Sequence, residues 1–374
     1  MKKLEFKIGK KMIGPGHPCF IVAEISANHN QSFEKAVKII ESCAKAGADA
    51  IKLQTYTPDT MTIDSDKKWF VVGGKDNPES WKGKTLYSLY QTAYTPWEWQ
   101  PKLKKIAENL GMILFSTPFD PSAVDFLESM NVACYKIASY ETNDIPLLKR
   151  IAKTKKPVIM SIGFATLPEI KLALETLRKN GANDIAILHC VTSYSDNPNE
   201  ADINLETMRN LQKRFGVVAG FSDNNAGIEI PIVAAMAGAS IIEKHIIIKR
   251  KEGGPDALFS LEPQELKTMV EKIRFAKKAM GKVHYGPNNE AERYNKRFRR
   301  SLFVVKDMKK GDKFTSKNVR SIRPADGLHT KFLEKILGKR ATKDIERGTP
   351  LSWSLINKNL TENLSIKFSE RSNF

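Results

Sequence analysis

Eight times between residues 20 and 280 a short apolar run is followed by a helical pattern. The runs cover 20–25, 49–54, 112–116, 134–138, 157–161, 185–189, 217–221 and 240–244. Each has the length and near-continuous hydrophobicity of a strand buried on both faces, as in a parallel sheet. The segments between them carry apolar residues at helical spacing. Phe33, Val37, Ile40 and Cys43 share one face, and Ile170, Leu174 and Leu177 share another. Gly47, Gly111, Gly181 and Gly216 each close a helical pattern just before a strand. Eight βα units in about 260 residues are the size of a (β/α)₈ TIM barrel. A doubly wound sheet alternates in the same way, but no dinucleotide-binding glycine fingerprint follows any of these strands.

The alternation spans only part of the 374 residues, so a second, smaller domain is expected. Residues 1–285 form the barrel domain in this reading, opened by a hairpin at 5–14. A turn-rich stretch beginning Gly286-Pro287-Asn288-Asn289 makes 286–300 a linker, 301–356 a small β-rich domain and 357–374 a frayed tail. An insertion at 57–98 carries Trp69, Trp81, Tyr87, Tyr90, Trp97 and Trp99. Such rings either shape a pocket or subunit contact above the barrel or pack into its core.

Charge and cysteine content narrow the function. The net charge is +18, but apart from 293–300 the basic residues are scattered. With no zinc finger or RNA-binding signature, the charge points to an anionic small substrate rather than nucleic acid. No run of 18 apolar residues exists and the N-terminus lacks a signal peptide's apolar core, so no membrane is expected and a cytoplasmic location is. Cys19, Cys43, Cys134 and Cys190 form no metal or disulfide framework and read as reduced, buried thiols.

Barrel enzymes build their sites where the strands end. Those ends carry Glu24; Lys52 and Gln54; Thr117; Lys136, Ser139 and Glu141; Ser161; His189; Ser222-Asp223-Asn224; and Glu243-Lys244-His245. A buried charge is costly unless paired, so polar groups on every strand end argue for a site. Lys52 and Lys136, with Thr117, Ser139, Ser161 and Ser222, suit a phosphate or carboxylate. Internal Lys–Glu pairs across the barrel are the alternative. Glu24 reads either as an acid/base group or as an ion-pair partner of Lys52. His245 reads as a metal ligand, a general base or a structural histidine.

Several motifs resemble the sialic acid synthase family, and most closely its pseudaminic acid synthase branch. They are Ala23-Glu24-Ile25-Ser26-Ala27-Asn28-His29-Asn30, Lys52-Leu53-Gln54-Thr55-Tyr56-Thr57-Pro58-Asp59-Thr60-Met61, Ser116-Thr117-Pro118-Phe119-Asp120, Lys136-Ile137-Ala138-Ser139-Tyr140-Glu141, Glu243-Lys244-His245, Pro255-Asp256 and Ile322-Arg323-Pro324. Long motifs in series are specific in a way one short motif is not.

The resemblance implies a TIM barrel joined to a β-rich antifreeze-like (SAF) domain, in a homodimer whose lid domains cover each other's sites. It implies condensation of phosphoenolpyruvate with an amino-sugar aldehyde to a nine-carbon 2-keto acid, pseudaminic acid for an altrose-type sugar. Phosphoenolpyruvate would meet Lys52, Thr117, Lys136, Ser139, Ser161 and Ser222. The sugar would meet Gln54, Tyr194, Asp256 and, from the other subunit, Arg323, and Glu141 would be a further substrate-binding residue. Glu24 would act at carbon 2, and a divalent ion, manganese or magnesium, would be held by His245 and the residue at 224.

Here the sequence departs from the family. Asn224 stands where the family has a second metal-binding histidine, Ser195 where a proline is usual, and Ala257-Leu258 where Ser-Ala is usual. Three readings therefore stay open beside a pseudaminic acid synthase: the same reaction on the N-acetylneuraminate or legionaminate precursor, a catalytically impaired ligand-binding homologue, and a basic nucleic-acid-binding protein.

Overall fold

A computed structural model describes residues 4–73, 82–192 and 199–357. Two antiparallel strands, β1 (Phe6–Ile8) and β2 (Lys11–Ile13), open the chain. Eight more follow: β3 (Phe20–Glu24), β4 (Ala50–Thr55), β5 (Ile113–Pro118), β6 (Tyr135–Ile137), β7 (Val158–Ser161), β8 (Ile185–Val191), β9 (Val218–Asp223) and β10 (Ile241–His245). They close into a barrel in sequence order, with β10 pairing β3, and each pairing is parallel. All eight apolar runs are barrel strands.

Each barrel strand feeds a helix: Phe33–Ala46, Gln100–Asn109, Pro121–Ser129, Ile145–Ala152, Leu167–Lys179, Glu206–Phe215, Glu229–Met236 and Pro263–Met280. Local chemistry sets their ends. Ser32, Asp120 and Asp144 accept backbone N–H groups at N-termini. Gly47, at φ 86°, ends the first helix in the left-handed region that glycine adopts without strain. That helix buries Ala36, Ile39, Ile40, Cys43 and Ala46, a stripe turned slightly from the expected face. Phe33 instead meets Trp99 edge-on, 5.8 Å between ring centres.

The barrel interior has two halves. Phe20, Ala50, Val218 and Ile241, each the first residue of its strand, cluster with Val22, Phe115, Ile159 and Leu188. The β1–β2 hairpin adds Phe6, Ile8 and Ile13 to the same cluster and so plugs the N-terminal mouth. The half nearer the strand ends is polar. All four cysteines are free and buried.

The chain divides into two compact units, Met1–Gly281 and Lys282–Phe374. In the second, β11 (Ser301–Val304) pairs antiparallel with β12 (Val319–Ile322). Its core includes Leu302, Val304, Phe314, Ile336 and Leu351. The stretch read as a linker contains a helix, Glu290–Asn295, capped by the Asn289 side chain. Of the expected tail only residue 357 is described.

Ile8 is fully buried in the plug. Ile8→Ala is expected to cost about 2–4 kcal/mol, seen as a lower denaturant midpoint. A loss near zero would mean the hairpin is not part of the barrel's core.

Candidate active site

A cleft of about 770 Å³ opens at the C-terminal ends of the strands. Ten of the residues singled out from sequence line it: Lys52, Gln54, Lys136, Ser139, Glu141, Ser161, Ser222, Asn224, His245 and Asp256. Thr117 joins them through its hydroxyl, which accepts a hydrogen bond from Lys52 Nζ at 3.3 Å. Glu24 lies fully buried and ion-paired with Lys52. Arg323 lies in the second unit, exposed, with no hydrogen bond or ion pair among the described residues. Tyr194 and Ser195 lie outside the described residues.

The electrostatic centre is a residue to which sequence reasoning gave no role. Glu243 Oε1 lies 3.5 Å from Lys52 Nζ and 3.4 Å from Lys136 Nζ. It also accepts a hydrogen bond from Ser222 Oγ at 3.1 Å. Burial alone pushes a carboxyl's pKa up, but Lys136 and Lys52 together overcome it and hold Glu243 below the usual carboxylate range. Lys–Glu pairs across the barrel therefore do form, yet the two lysines differ. For Lys52 the downward pull of burial is outweighed by Glu24 and Glu243, and its pKa rises. For Lys136 burial wins over Glu243, and its pKa falls. Lys136 is thus the under-compensated cation, and an anion beside it would relieve the desolvation.

Unfilled hydrogen-bonding capacity surrounds it. Ser161 Oγ, Glu24 Oε1 and Glu141 Oε2 are buried with no hydrogen-bond partner among the described residues. Burial raises Glu141 to about 7 against the pull of Lys136, so this carboxyl holds its proton well above the usual carboxylate range. Gly163 lets the β7 loop approach: a Cβ there would lie 2.9 Å from Ser139 Oγ and 2.8 Å from Thr192 Cγ2.

The opposite wall is a hydrogen-bonded chain. Gln54 Nε2 donates to Ser26 Oγ at 3.1 Å, and Ser26 Oγ donates to Asp256. Asp256 Oδ2 lies 4.0 Å from His245 Nδ1. Burial lowers the His245 pKa, so its imidazole is neutral at pH 7, and Nδ1 has no hydrogen-bond partner among the described residues. Asn224 Nδ2 donates to Cys190 Sγ at 3.3 Å and Val191 O at 3.4 Å.

Not every polar strand-end residue faces the cleft. Lys244 and Asp223 point outward from the barrel wall and pair with each other at 2.7 Å, both completely buried. His189 also turns away, its Nε2 bonding Ile203 O at 2.7 Å. The aromatic insertion divides likewise. Trp69 and Tyr90 line the cleft, whereas Trp97 stacks on Phe126 and Trp99 packs against His29 and Phe33. Tyr87 bonds Asp59 at 3.1 Å, and Trp81 lies outside the described residues.

The fold and the site define a barrel enzyme with a lysine–glutamate cluster beneath a polar cleft. The chain belongs to the NeuB family, whose profile matches residues 39–285, and a SAF domain matches 299–357. It is 42% identical over 335 residues to the pseudaminic acid synthase of Campylobacter jejuni, spanning 90% of this chain and 96% of that protein. Identity to the Helicobacter pylori pseudaminic acid synthase is 41% over 343 residues, 92% of this chain and 99% of that one. Among solved structures, the N-acetylneuraminic acid (sialic acid) synthetase of Leptospira borgpetersenii, in complex with citrate, matches with a TM-score of 0.68 at 31% identity. That match covers 78% of this chain and 96% of the other.

The raised Glu141 pKa fixes a sign. Between its unfolded value near 4.5 and its folded value near 7, rising pH ionises the unfolded state first. Relative to Glu141→Gln, the protein should lose roughly 3 kcal/mol across that window and nothing further above it. Urea unfolding at stepped pH checks this; parallel pH curves would contradict it.

Proposed function

We propose that this chain condenses phosphoenolpyruvate with open-chain 2,4-diacetamido-2,4,6-trideoxyaltrose, giving pseudaminic acid and phosphate. The observation that carries the reading is the under-compensated Lys136, sharing Glu243 with Lys52 in a pocket walled by Ser139, Ser161, Ser222 and Thr117. That set offers ammonium groups and hydroxyl donors to a phosphate and a carboxylate together. The pseudaminic acid synthases at 41–42% identity over nine-tenths of the chain supply the sugar.

Carbon 3 of phosphoenolpyruvate attacks the aldehyde carbon, forming the new C–C bond and leaving carbon 2 cationic. Glu24, with one carboxylate oxygen unpartnered beside Lys52, stabilises that cation and takes a proton from the water that adds there. The tetrahedral intermediate then breaks its bond to the phosphate oxygen and releases phosphate. The former aldehyde oxygen takes up a proton, which Glu141, raised by burial to about 7, can give in the same cleft, and the carbon 2 hydroxyl loses its proton as the ketone forms and phosphate leaves. Gln54 and Asp256 hold the sugar, as does Tyr194. Arg323, exposed and unpaired among the described residues, completes the site of a partner copy in a homodimer.

A divalent ion fits the donors present. His245 offers a neutral, unpartnered Nδ1, and Asn224, its amide nitrogen engaged, offers its oxygen. Among the described residues no group of three His, Cys, Asp or Glu side chains could hold a metal. Nitrogen with oxygen suits manganese or magnesium. Such an ion supplies Lewis acidity toward the aldehyde oxygen.

Phosphate release from phosphoenolpyruvate tests the reading, run with each candidate amino sugar, with manganese and after chelation. Release is expected with the altrose-type sugar, lost on chelation and restored by manganese. Asn224→His is expected to tighten manganese binding. Activity in Asn224→His alone would mark the wild-type chain as an impaired homologue, and silence from both would overturn the synthase reading.

A further inference from the structure

Ser26 lies just past the end of β3 with φ of 48°, in the left-handed region. Non-glycine residues are uncommon there, and glycine would adopt that backbone more easily. A disfavoured conformation persists where surrounding structure holds it, and such positions cluster in functional sites. Ser26 is 4% exposed, and its hydroxyl is occupied on both sides. Its O–H donates to Asp256 Oδ2 and its oxygen accepts from Gln54 Nε2 at 3.1 Å, while the Ala27 N–H points at the same carboxylate oxygen from 3.5 Å. A hydroxyl has one proton to donate and two lone pairs. Here the proton goes to Asp256 and one lone pair to Gln54.

The consequence falls on those two neighbours. With one N–H of its amide held by Ser26, Gln54 keeps Oε1 as an acceptor with no partner among the described residues, and Asp256 keeps Oδ1. Both residues line the cleft. Among the described residues no ion pair or hydrogen bond of Lys52 or Lys136 involves Ser26.

Building on the synthase reading, we infer that Ser26 determines sugar specificity. Its hydroxyl fixes Gln54 and Asp256 as two hydrogen-bond acceptors that read two donors, N–H or O–H, of an open-chain amino sugar. The strained backbone keeps the hydroxyl between them. Loss of the hydroxyl frees Gln54 and Asp256 to rotate and to bond each other or water, and the anion-binding half of the site stays as it was.

Ser26→Gly and Ser26→Ala separate the hydroxyl from the strain, because both remove the hydroxyl and only glycine relieves the backbone. Phosphate release is measured with the sugar varied at saturating phosphoenolpyruvate and the reverse, alongside thermal unfolding of the full chain. Both variants are expected to lose roughly 10- to 100-fold in kcat/KM for the sugar. The KM for phosphoenolpyruvate should move less than about twofold, as for an interaction confined to the other substrate. Ser26→Gly should unfold at or above the wild-type temperature. Wild-type sugar kinetics in Ser26→Gly, or equal losses toward both substrates, would overturn the inference while leaving the synthase reading intact. A wild-type protein that releases no phosphate with any sugar overturns both.

Discussion

The site depends on one carboxylate shared by two lysines in the barrel's interior. Glu243 stands between Lys52 and Lys136, with Glu24 closing the other side of Lys52. Four charges in a space that could hold apolar side chains are a poor route to stability, since replacing such a network with packed hydrophobes is often neutral or stabilising. They can be accommodated because the opposite half of the interior is packed dry by the hairpin plug and the first residues of the strands. The barrel thus separates its tasks along its axis. The apolar half holds the fold together, and the polar half keeps charges close enough to respond to an anion. In the proposed reading the substrate anion meets Lys136, whose pKa burial lowers despite Glu243.

Behind the cleft a second charge pair does a different job. Lys244 and Asp223 are neighbours in sequence of the cleft-facing His245 and Asn224, yet they meet on the outer face of the barrel wall, fully buried. Lys244 also donates to the backbone carbonyl of Asn225, and Asp223 Oδ1 accepts from the Asn225 side chain at 2.9 Å. The ends of β9 and β10 are tied together there, and the residues between the ties are turned toward the substrate side.

Much of the fold was legible because parallel strands buried on both faces leave unbroken apolar runs, and all eight were found within a residue or two at either end. Much of the cleft's lining was legible for a similar reason: polar groups gather at the strand ends, although some of them, Lys244, Asp223 and His189, turn away from the cleft. Their direction was less so. Ser222-Asp223-Asn224 and Glu243-Lys244-His245 read as solid blocks facing the rim, but alternation along a strand sends the middle residue outward. That period of two was in the sequence, since 222 and 224, and 243 and 245, share a parity, and it would have set Lys244 and Asp223 apart. The left-handed backbone of Ser26 carried no such signal. Nothing in a serine announces φ of 48°, and the role proposed for it rests on its two partners. The helix at Glu290–Asn295 hid behind a polar, turn-rich stretch whose Asn289 cap was read as loop chemistry.

Calorimetric titration of phosphoenolpyruvate into the wild-type protein and Lys136→Met, without sugar, addresses the shared-carboxylate site most directly. Saturable one-site binding to the wild type, lost in a Lys136→Met protein that keeps its circular dichroism and melting temperature, is the result this account predicts. Equal affinity in the two proteins would contradict it and place the anion elsewhere.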